Sequence, residues 1–219
     1  AQEKFEPSRS DVLTFGIGAD PRWVHLAVHN PYPGPRDFDL VIEISWLDHV
    51  AIHFVGPGGE QIRHELGDSQ PFAKREIPSR GFVVNHTFVP GKTEIYIRVE
   101  TPDPMVIPIE LAEPETRDTD ETLNNYSYGV VYGYLLGLLA YNTTLFFGLR
   151  QARFFLYSVY LTAFILMNCA YTGHGFAWLW SESVTWQRWG IAIHIVMYSI
   201  TGLIFATSST CLPTRSSAS

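Results

Sequence analysis

Polar and apolar residues follow two different patterns along the chain. Up to Leu111 the apolar residues alternate with polar ones in short runs separated by Gly, Pro and Asn, a pattern typical of half-buried β-strands. From Tyr128 to Leu149 there is no Asp, Glu, Lys or Arg. A helix of that length reaches roughly 33 Å, enough to cross the ~30 Å hydrocarbon core of a bilayer. The sequence therefore predicts a strand-rich part followed by a part that lies in lipid.

Seven or eight short strands are predicted in the amino-terminal part. Val24, Leu26 and Val28 share one face of an early strand. The same alternation recurs in Leu40-Ile42-Ile44-Trp46, Val50-Ile52-Phe54, Ile95-Ile97-Val99 and Ile107-Ile109-Leu111. Gly56-Pro57-Gly58-Gly59 has the composition of a hairpin turn, and Pro108 restricts the last strand to a sheet edge or a bulge. Closely spaced strands without a convincing helix predict a jelly-roll-like β-sandwich over residues 1–112.

An all-α transmembrane segment is predicted to follow this domain. Residues 113–127 are rich in Pro, Thr, Asp, Glu and Asn and are interpreted as a short polar linker, with Thr119 as a candidate N-cap. Three membrane spans are predicted at about 128–149, 154–173 and 189–212, before a polar tail at 213–219. Arg150, Arg153 and Arg215 share one side of the bilayer, while the short loop on the other side contains only Arg188. This distribution predicts that the arginine-rich side is cytoplasmic and that the sandwich lies outside.

Several residues within the spans are candidates for helix packing. Gly129, Gly133 and Gly137 recur every fourth residue, so they form a groove that another helix backbone can approach closely. Packing within the chain's own bundle is favoured over a homodimer seam, and the general frequency of glycine in membrane helices is the alternative explanation. Polar side chains in lipid need partners. Asn168 and His194 come out at similar depths and are predicted to hydrogen-bond, directly or through water, whereas Asn142 lies at another depth.

Charge divides the chain at the same place as hydropathy. Up to Ser127 there are 21 acidic residues against 11 Lys plus Arg, a net charge of −10, and beyond it one acidic residue against four arginines, a net of +3. An acidic domain without basic clusters argues against nucleic acid as a partner. Cys169 and Cys211 lie in or beside apolar stretches, so no disulfide framework supports the soluble part. The start at Ala1, without Met or an apolar leader, fits signal-peptide removal or a cloned fragment.

The candidate ligand-binding loop is Gly67 to Arg80, the longest non-alternating stretch of the soluble part. Loops on rigid sandwiches often carry binding groups, and arginine with aromatic neighbours suits sugars or carboxylates. Asp68, Arg75 and Arg80 are therefore candidate ligand-binding residues, with the alternative that they only hold the loop by ion pairs. Trp46 is a candidate stacking face, although its place on the apolar side of its strand favours core packing.

Metal, cofactor and catalytic sites are not predicted. His25 and His29, like His49 and His53, are four residues apart on a strand, a separation of about 13 Å that does not allow one ion to be shared. The sequence contains no Gly-x-Ser-x-Gly elbow, no phosphate-binding glycine loop and no His-Glu-x-x-His helix. These features favour a binding protein over an enzyme.

Two stretches together resemble one bacterial receptor family, the seven-transmembrane receptors with diverse intracellular signalling modules. The soluble part is similar to that family's second type of extracellular domain, and the helical part to the start of its membrane domain. The matching motifs of the soluble part are Asn30-Pro31, Gly67-Asp68, Pro71-Phe72 with Arg75, Arg80-Gly81-Phe82-Val83 and Tyr96-Ile97-Arg98-Val99. Those of the helical part are Tyr128-Gly129, Tyr132-Gly133, Leu138-Leu139, Tyr141-Asn142 and Phe155-Leu156-Tyr157.

The resemblance implies a jelly-roll sensor for a carbohydrate or similar small molecule, seven helices in a bacterial inner membrane, and a cytoplasmic output such as a histidine kinase or diguanylate cyclase. This sequence departs from the pattern because it contains three spans and no output module. We therefore expect the sensory and leading transmembrane portion of a receptor, as a fragment or a truncated product. The alternative is a membrane-anchored carbohydrate-binding or adhesion module whose helices only hold it in place.

Overall fold

A computed structural model describes residues 5–8, 10 and 12–210 of the 219-residue chain. The predicted polar tail, the last two residues of the predicted third span and Arg215 lie outside the described residues. The chain forms two compact units. The first runs to Glu121 and includes Thr172–Arg188, and the second comprises Thr122–Tyr171 and the residues from Trp189 onward.

In the part of the chain that the structure describes, eight strands make two antiparallel four-stranded sheets, which confirms the predicted sandwich. The strands are β1 (Val12–Gly16), β2 (Arg22–Asn30), β3 (Arg36–Ile42), β4 (His49–Val55), β5 (Gln61–Leu66), β6 (Phe82–Phe88), β7 (Gly91–Glu100) and β8 (Met105–Ala112). The first sheet has the order β1-β8-β3-β6 and the second β2-β7-β4-β5. The pairing is nested: β1 pairs with β8, β2 with β7, β3 with β6 and β4 with β5.

The core lies between the two sheets and is built from the faces that the alternation predicted. The second sheet contributes Val24, Val50, Ile52, Phe54, Leu66, Ile95, Ile97 and Val99, and the first contributes Leu40, Ile42, Phe82, Val84, Phe88, Met105 and Ile107. Burial of each large apolar side chain stabilises the fold by about 1.5–3 kcal/mol. The predicted hairpin turn is also present, since Gly59 has a φ of 84° and donates its N–H to the Gly56 carbonyl.

One prediction of register is wrong, and the prediction of an edge or a bulge at Pro108 holds only locally. The alternation assigned Trp46 to the core side, but β3 ends at Ile42, and after the bend Leu47 is the fully buried residue while Trp46 is only half-buried. β8 is an internal strand, not an edge. Proline has no N–H to donate to a neighbouring strand. Pro108 is tolerated here because pairing with β3 ends at Ile109, so that only Val12 of β1 lies opposite the proline.

The predicted polar linker is helical, so its interpretation as a connector is corrected. Helix α1 spans Pro114–Leu149, with proline at its first position, where the missing N–H costs nothing. Thr119 is not an N-cap, since its hydroxyl donates to the Glu115 carbonyl one turn earlier. Arg117 reaches the buried Asp39 of β3 at 3.0 Å, so the first turns of α1 belong to the sandwich unit.

Among the described residues, three helices are long and apolar enough to cross a membrane: α1, α2 (Ala152–Tyr171) and α4 (Val184–Thr210). The short α3 (His174–Trp178) lies between the last two. The second and third begin two and five residues earlier than predicted. In the helical unit the Thr143 hydroxyl of α1 lies 3.3 Å from that of Ser158 in α2. The Tyr160 and Tyr198 hydroxyls lie 3.0 Å apart between α2 and α4.

Candidate functional site

The loop between two membrane-spanning helices packs against one end of the sandwich. The part that packs there, residues 172–188, includes α3 and the first five residues of α4. It is called the α2–α4 segment and belongs to the same compact unit as the strands. The Phe72 N–H donates to the Ser181 carbonyl at 3.0 Å, and the rings of Phe72 and Phe176 meet edge to face with centroids 5.8 Å apart. Phe176 is 1% exposed. The Gly67–Arg80 loop is therefore in contact with another part of its own chain.

Gly173 allows this close approach at the start of the segment. It has a φ of 80°, in the left-handed region that favours glycine, and a side-chain carbon at this position would lie 2.7 Å from Cβ of Ser45. Ser45 follows β3 and is itself buried. A larger residue at position 173 would separate the segment from the sandwich.

Arg75 occupies the centre of the contact. Its Nη1 donates to the carbonyls of Ser79, Arg80 and Gly81 at 2.6, 3.0 and 2.9 Å, which closes the loop on itself. The guanidinium also faces the rings of Phe72, Phe82 and Phe176, with centroids at 4.8, 4.7 and 5.7 Å. Burial lowers the pKa of Arg75 to about 10, which still leaves it charged at neutral pH. Cation–π attraction compensates part of the lost hydration.

Asp68 lies close to this arginine and is a buried residue, 6% exposed. The Gln187 amide of the α2–α4 segment donates to Asp68 Oδ2 at 3.4 Å, a long hydrogen bond. Burial raises the pKa of Asp68 to about 7, and the neighbouring Asp48 carboxylate adds to the rise, while the bond from Gln187 opposes it. Near neutral pH this carboxyl group is thus balanced between its neutral and charged forms.

A second carboxylate, Asp48, connects two further elements at the same end. Its Oδ2 accepts a bond from the Thr101 hydroxyl at 2.8 Å, and its Oδ1 lies 3.5 Å from Nη2 of Arg188. Asp48 is thus bonded to Thr101, which directly follows β7, and both Asp48 and Asp68 are contacted by side chains of the α2–α4 segment. Polar groups buried in this way need such partners, because an unpaired charge in the interior costs several kcal/mol.

Arg80 and His174 face each other across the contact. Burial and, to a smaller extent, the positive charge of Arg80 together lower the pKa of His174 to about 4, so the imidazole is neutral at physiological pH. His174 Nδ1 lies 2.8 Å from the Thr172 hydroxyl. Trp46, the fourth residue predicted for ligand binding, donates its indole N–H to the Pro104 carbonyl at 3.1 Å.

The structure therefore brings Asp68, Arg75 and Arg80 together, in contact with the chain's own α2–α4 segment. The sequence reasoning missed the other half of this contact, Phe176 and Gln187 above all. Trp180 also belongs to this contact, since its indole N–H donates to Gln187 Oε1 at 3.1 Å. The available signal was the Gly173-His174-Gly175 run, which marks a close backbone approach and not only the end of a helix.

The residues predicted for helix packing fall into two groups. Gly129, Gly133 and Gly137 are exposed, and among the described residues nothing lies within 4 Å of where their side chains would begin. The three polar residues each bond to a carbonyl one turn earlier: Asn142 to Leu138, Asn168 to Phe164 and His194 to Gly190. A bond between Asn168 and His194 stays a prediction. Gly202 was missed: a side-chain carbon there would lie 3.3 Å from the Tyr160 ring.

A strand-built domain followed by helices long enough to span a membrane is the arrangement expected of membrane receptors with an extracellular sensory domain. Comparison with family models agrees: residues 1–113 match the model described as 7TMR-DISM extracellular 2, and residues 124–217 match that described as 7TM diverse intracellular signalling. The chain belongs to this family of seven-transmembrane receptors, and its amino-terminal domain is extracellular. No curated protein matches the chain.

Proposed function

We propose that this chain is the sensory and leading transmembrane portion of a bacterial inner-membrane signalling receptor that responds to a carbohydrate or similar small molecule. The nested pairing of its strands supports a jelly-roll assignment for the sensor. The output, a kinase or cyclase of the kind that the family resemblance implies, lies on the cytoplasmic side in this proposal.

The observation that carries the proposal is the packing of the α2–α4 segment on the sandwich. Phe176, Gln187 and Arg188 of this segment contact the sandwich side chains Phe72, Asp68 and Asp48. The peptide chain joins the same segment directly to α2 and α4. A ligand that binds one sandwich conformation better than another will shift the population of this contact, and with it the ends of two helices.

The competing function is a membrane-anchored binding or adhesion module, in which the helices only hold the domain in place. The two functions differ in one respect. In a receptor, a change at the sandwich end alters helix packing, whereas in an anchor the helices stay as they are.

Disulfide formation between α1 and α2 separates these functions. Thr143→Cys and Ser158→Cys place two thiols where hydroxyls now lie 3.3 Å apart, in a background with Cys169→Ser and Cys211→Ser. The full chain in native membranes is oxidised with copper phenanthroline, and loss of maleimide labelling gives the rate. We expect Gln187→Leu to change this rate, because it removes the hydrogen bond to Asp68.

The matched control is Glu65→Gln, a charge removal at an exposed position on β5. It should leave the rate of disulfide formation unchanged. Equal rates for the parent chain, Gln187→Leu and Glu65→Gln would show that the sandwich end does not influence helix packing, and would favour the anchor.

A further inference from the structure

The outer face of the second sheet carries a row of aromatic rings that crosses three strands. His25 of β2 lies opposite Tyr96 of β7, and Tyr96 lies opposite His53 of β4. The His25 and Tyr96 rings stack with centroids 4.8 Å apart, and the Trp23 ring lies 5.9 Å from that of His53. These four residues are called the aromatic row. They point away from the core because they alternate with Val24, Ile95, Ile97, Ile52 and Phe54, which lie in it.

The outer face of the first sheet is covered, whereas the outer face of the second sheet, which carries the aromatic row, is more exposed. On the first sheet Asp39 is 1% exposed because Asn85 and Arg117 of α1 bond to it at 2.8 and 3.0 Å, and Val83 is 2% exposed. On the second sheet Trp23 is 41% exposed and the other three rings of the row are partly exposed. The Phe5 ring lies over one part of the row, 5.2 Å from the His25 ring and 6.1 Å from the Tyr96 ring, and leaves Trp23 open. A cluster of exposed aromatic rings on a rigid sheet is typical of a binding surface.

The charged groups around the aromatic row are paired with one another. Glu94 lies 2.5 Å from His25 and 2.6 Å from Lys92, and the hydrogen bonds from Lys92 and His25 lower the pKa of Glu94, so that it stays charged. Arg98 bonds to Glu100 at 2.6 Å. Two acids and two bases leave no net charge, which favours a neutral ligand. Carboxylate and guanidinium groups still have free donor and acceptor positions for hydroxyl groups.

The dimensions of the row agree with a small ring-shaped ligand. Neighbouring strands lie about 4.8 Å apart, so the three strands present a surface about 10 Å wide. A sugar ring has an apolar face of C–H groups, which the negative face of an aromatic ring attracts, and an edge of hydroxyls, which paired charged groups can bind. Neither a purely apolar ligand nor a charged one would use both features.

We propose that the aromatic row is the ligand-binding surface of this domain and that it binds a neutral sugar ring. The proposal rests on the sensory function proposed above and gives it a site. It also separates binding from transmission, because the Gly67–Arg80 loop is in contact with the α2–α4 segment while the aromatic row lies on a strand face.

Calorimetric titration of the full chain in nanodiscs tests this site, with maltohexaose, cellohexaose, xylohexaose and chitohexaose as probes. We expect at least one of these neutral oligosaccharides to bind. Trp23→Ala and Tyr96→Ala should each weaken that binding by up to about tenfold, the upper range for losing one aromatic contact. Trp23→Phe, which keeps a ring, should retain most of the affinity.

The matched control is Tyr32→Ala, since Tyr32 is 54% exposed but lies in the β2–β3 loop, outside the aromatic row. It should not change the affinity, and all variants should keep the thermal unfolding midpoint of the parent chain. Binding that survives both Trp23→Ala and Tyr96→Ala would overturn the site and leave a sugar-binding receptor in place. Absence of binding by all four oligosaccharides would overturn the neutral-sugar inference. It would leave the proposed receptor function open to test, because the disulfide experiment between α1 and α2 measures transmission without any sugar. Loss of self-association in place of sugar binding would identify the row as an interface between copies and contradict the proposal.

Discussion

The sandwich and the helices place the same types of apolar residue in opposite positions. In the sandwich the large apolar side chains lie inside, and Ile52, Ile97 and Val99 are fully buried. In the helices they lie outside: Val130 is 74% and Leu203 68% exposed, and only 6%, 22% and 11% of the most apolar windows of α1, α2 and α4 are buried. Water surrounds the first arrangement and lipid the second, because exposed apolar surface on this scale is stable only in hydrocarbon.

Polar side chains show the same contrast. Inside the sandwich they bond to partners far away in sequence, as Asn30 does with the Phe88 carbonyl and Thr101 with Asp48. In the helices Asn142 and Thr144 bond to the carbonyl four residues earlier in the same helix. A polar group in the sandwich therefore helps to specify the tertiary structure. Asn142 and Thr144 bond only within their own helix and hold no distant part of the chain in place.

A lysine placed in each environment gives the largest expected difference. Leu136→Lys puts a charge near the middle of the apolar part of α1, at a side chain that is 53% exposed. We expect it to disfavour insertion of α1 by about 2.5–3.5 kcal/mol. Glycosylation of acceptor sites placed on either side of α1, in the full chain translated with microsomes, measures the inserted fraction.

The matched control is Ile17→Lys, at an even more exposed apolar position of the sandwich unit, 79% exposed. It should leave the inserted fraction unchanged and alter the stability of the sandwich by no more than about 0.5 kcal/mol. If Leu136→Lys were inserted as well as the parent chain, the exposed face of α1 would lie in water and the contrast drawn above would fail.

Much of the fold follows from local patterns in the sequence. Alternation located the strands because one face of each lies in the core, and the absence of charge located the spans because charge is costly in lipid. The start of α1 did not follow from such a pattern. Residues 113–127 are polar enough for a linker, and their helical state is supported by a tertiary contact, the pairing of Arg117 with Asp39, which are 78 residues apart.

The candidate site was predicted only in part, for a related reason. The Gly67–Arg80 loop stood out because it breaks the alternation, but its partner is distant in sequence: Asp68 and Gln187 are 119 residues apart. The histidines of the outer sheet face were considered only as metal ligands, and Trp23 and Tyr96 were not predicted to join them. Their arrangement as a row depends on the order β2-β7-β4, which no single strand reveals.

Removal of the Asp68 charge should change the stability of the sandwich by an intermediate amount, and the change should depend on pH. The pKa of this group rises from 3.8 in its ordinary state to about 7 in the folded chain. Between these values the folded state holds a proton that the unfolded state has lost, so stability falls as pH rises toward 7. Asp68→Asn removes this destabilisation and should make the sandwich more stable than the parent at pH 8 by about 2–4 kcal/mol, since each pKa unit corresponds to about 1.4 kcal/mol.

Thermal unfolding between pH 4 and pH 8 measures this effect, and the gain from Asp68→Asn should shrink steadily toward pH 4. Glu65→Gln, at an exposed carboxylate that is paired with Arg63, is the control and should show no such trend. A gain that is equal at both ends of the range would mean that Asp68 is not held in the disfavoured charged form, and that the contact with Gln187 is not sensitive to protonation.

The smallest expected effect compares two asparagines, one in each environment. Asn142→Leu removes a side chain that bonds to Leu138 of its own helix, and should cost no more than about 0.6 kcal/mol, the average for polar contacts in membrane proteins. Asn30→Leu removes bonds to the Phe88 and Gly34 carbonyls and leaves both without that partner, which should cost about 1–3 kcal/mol. Denaturant unfolding of the chain in detergent, followed separately for strand and helix signals, measures both. A larger loss for Asn142→Leu would mean that Asn142 bonds to another helix, and that polar groups in the two environments act alike.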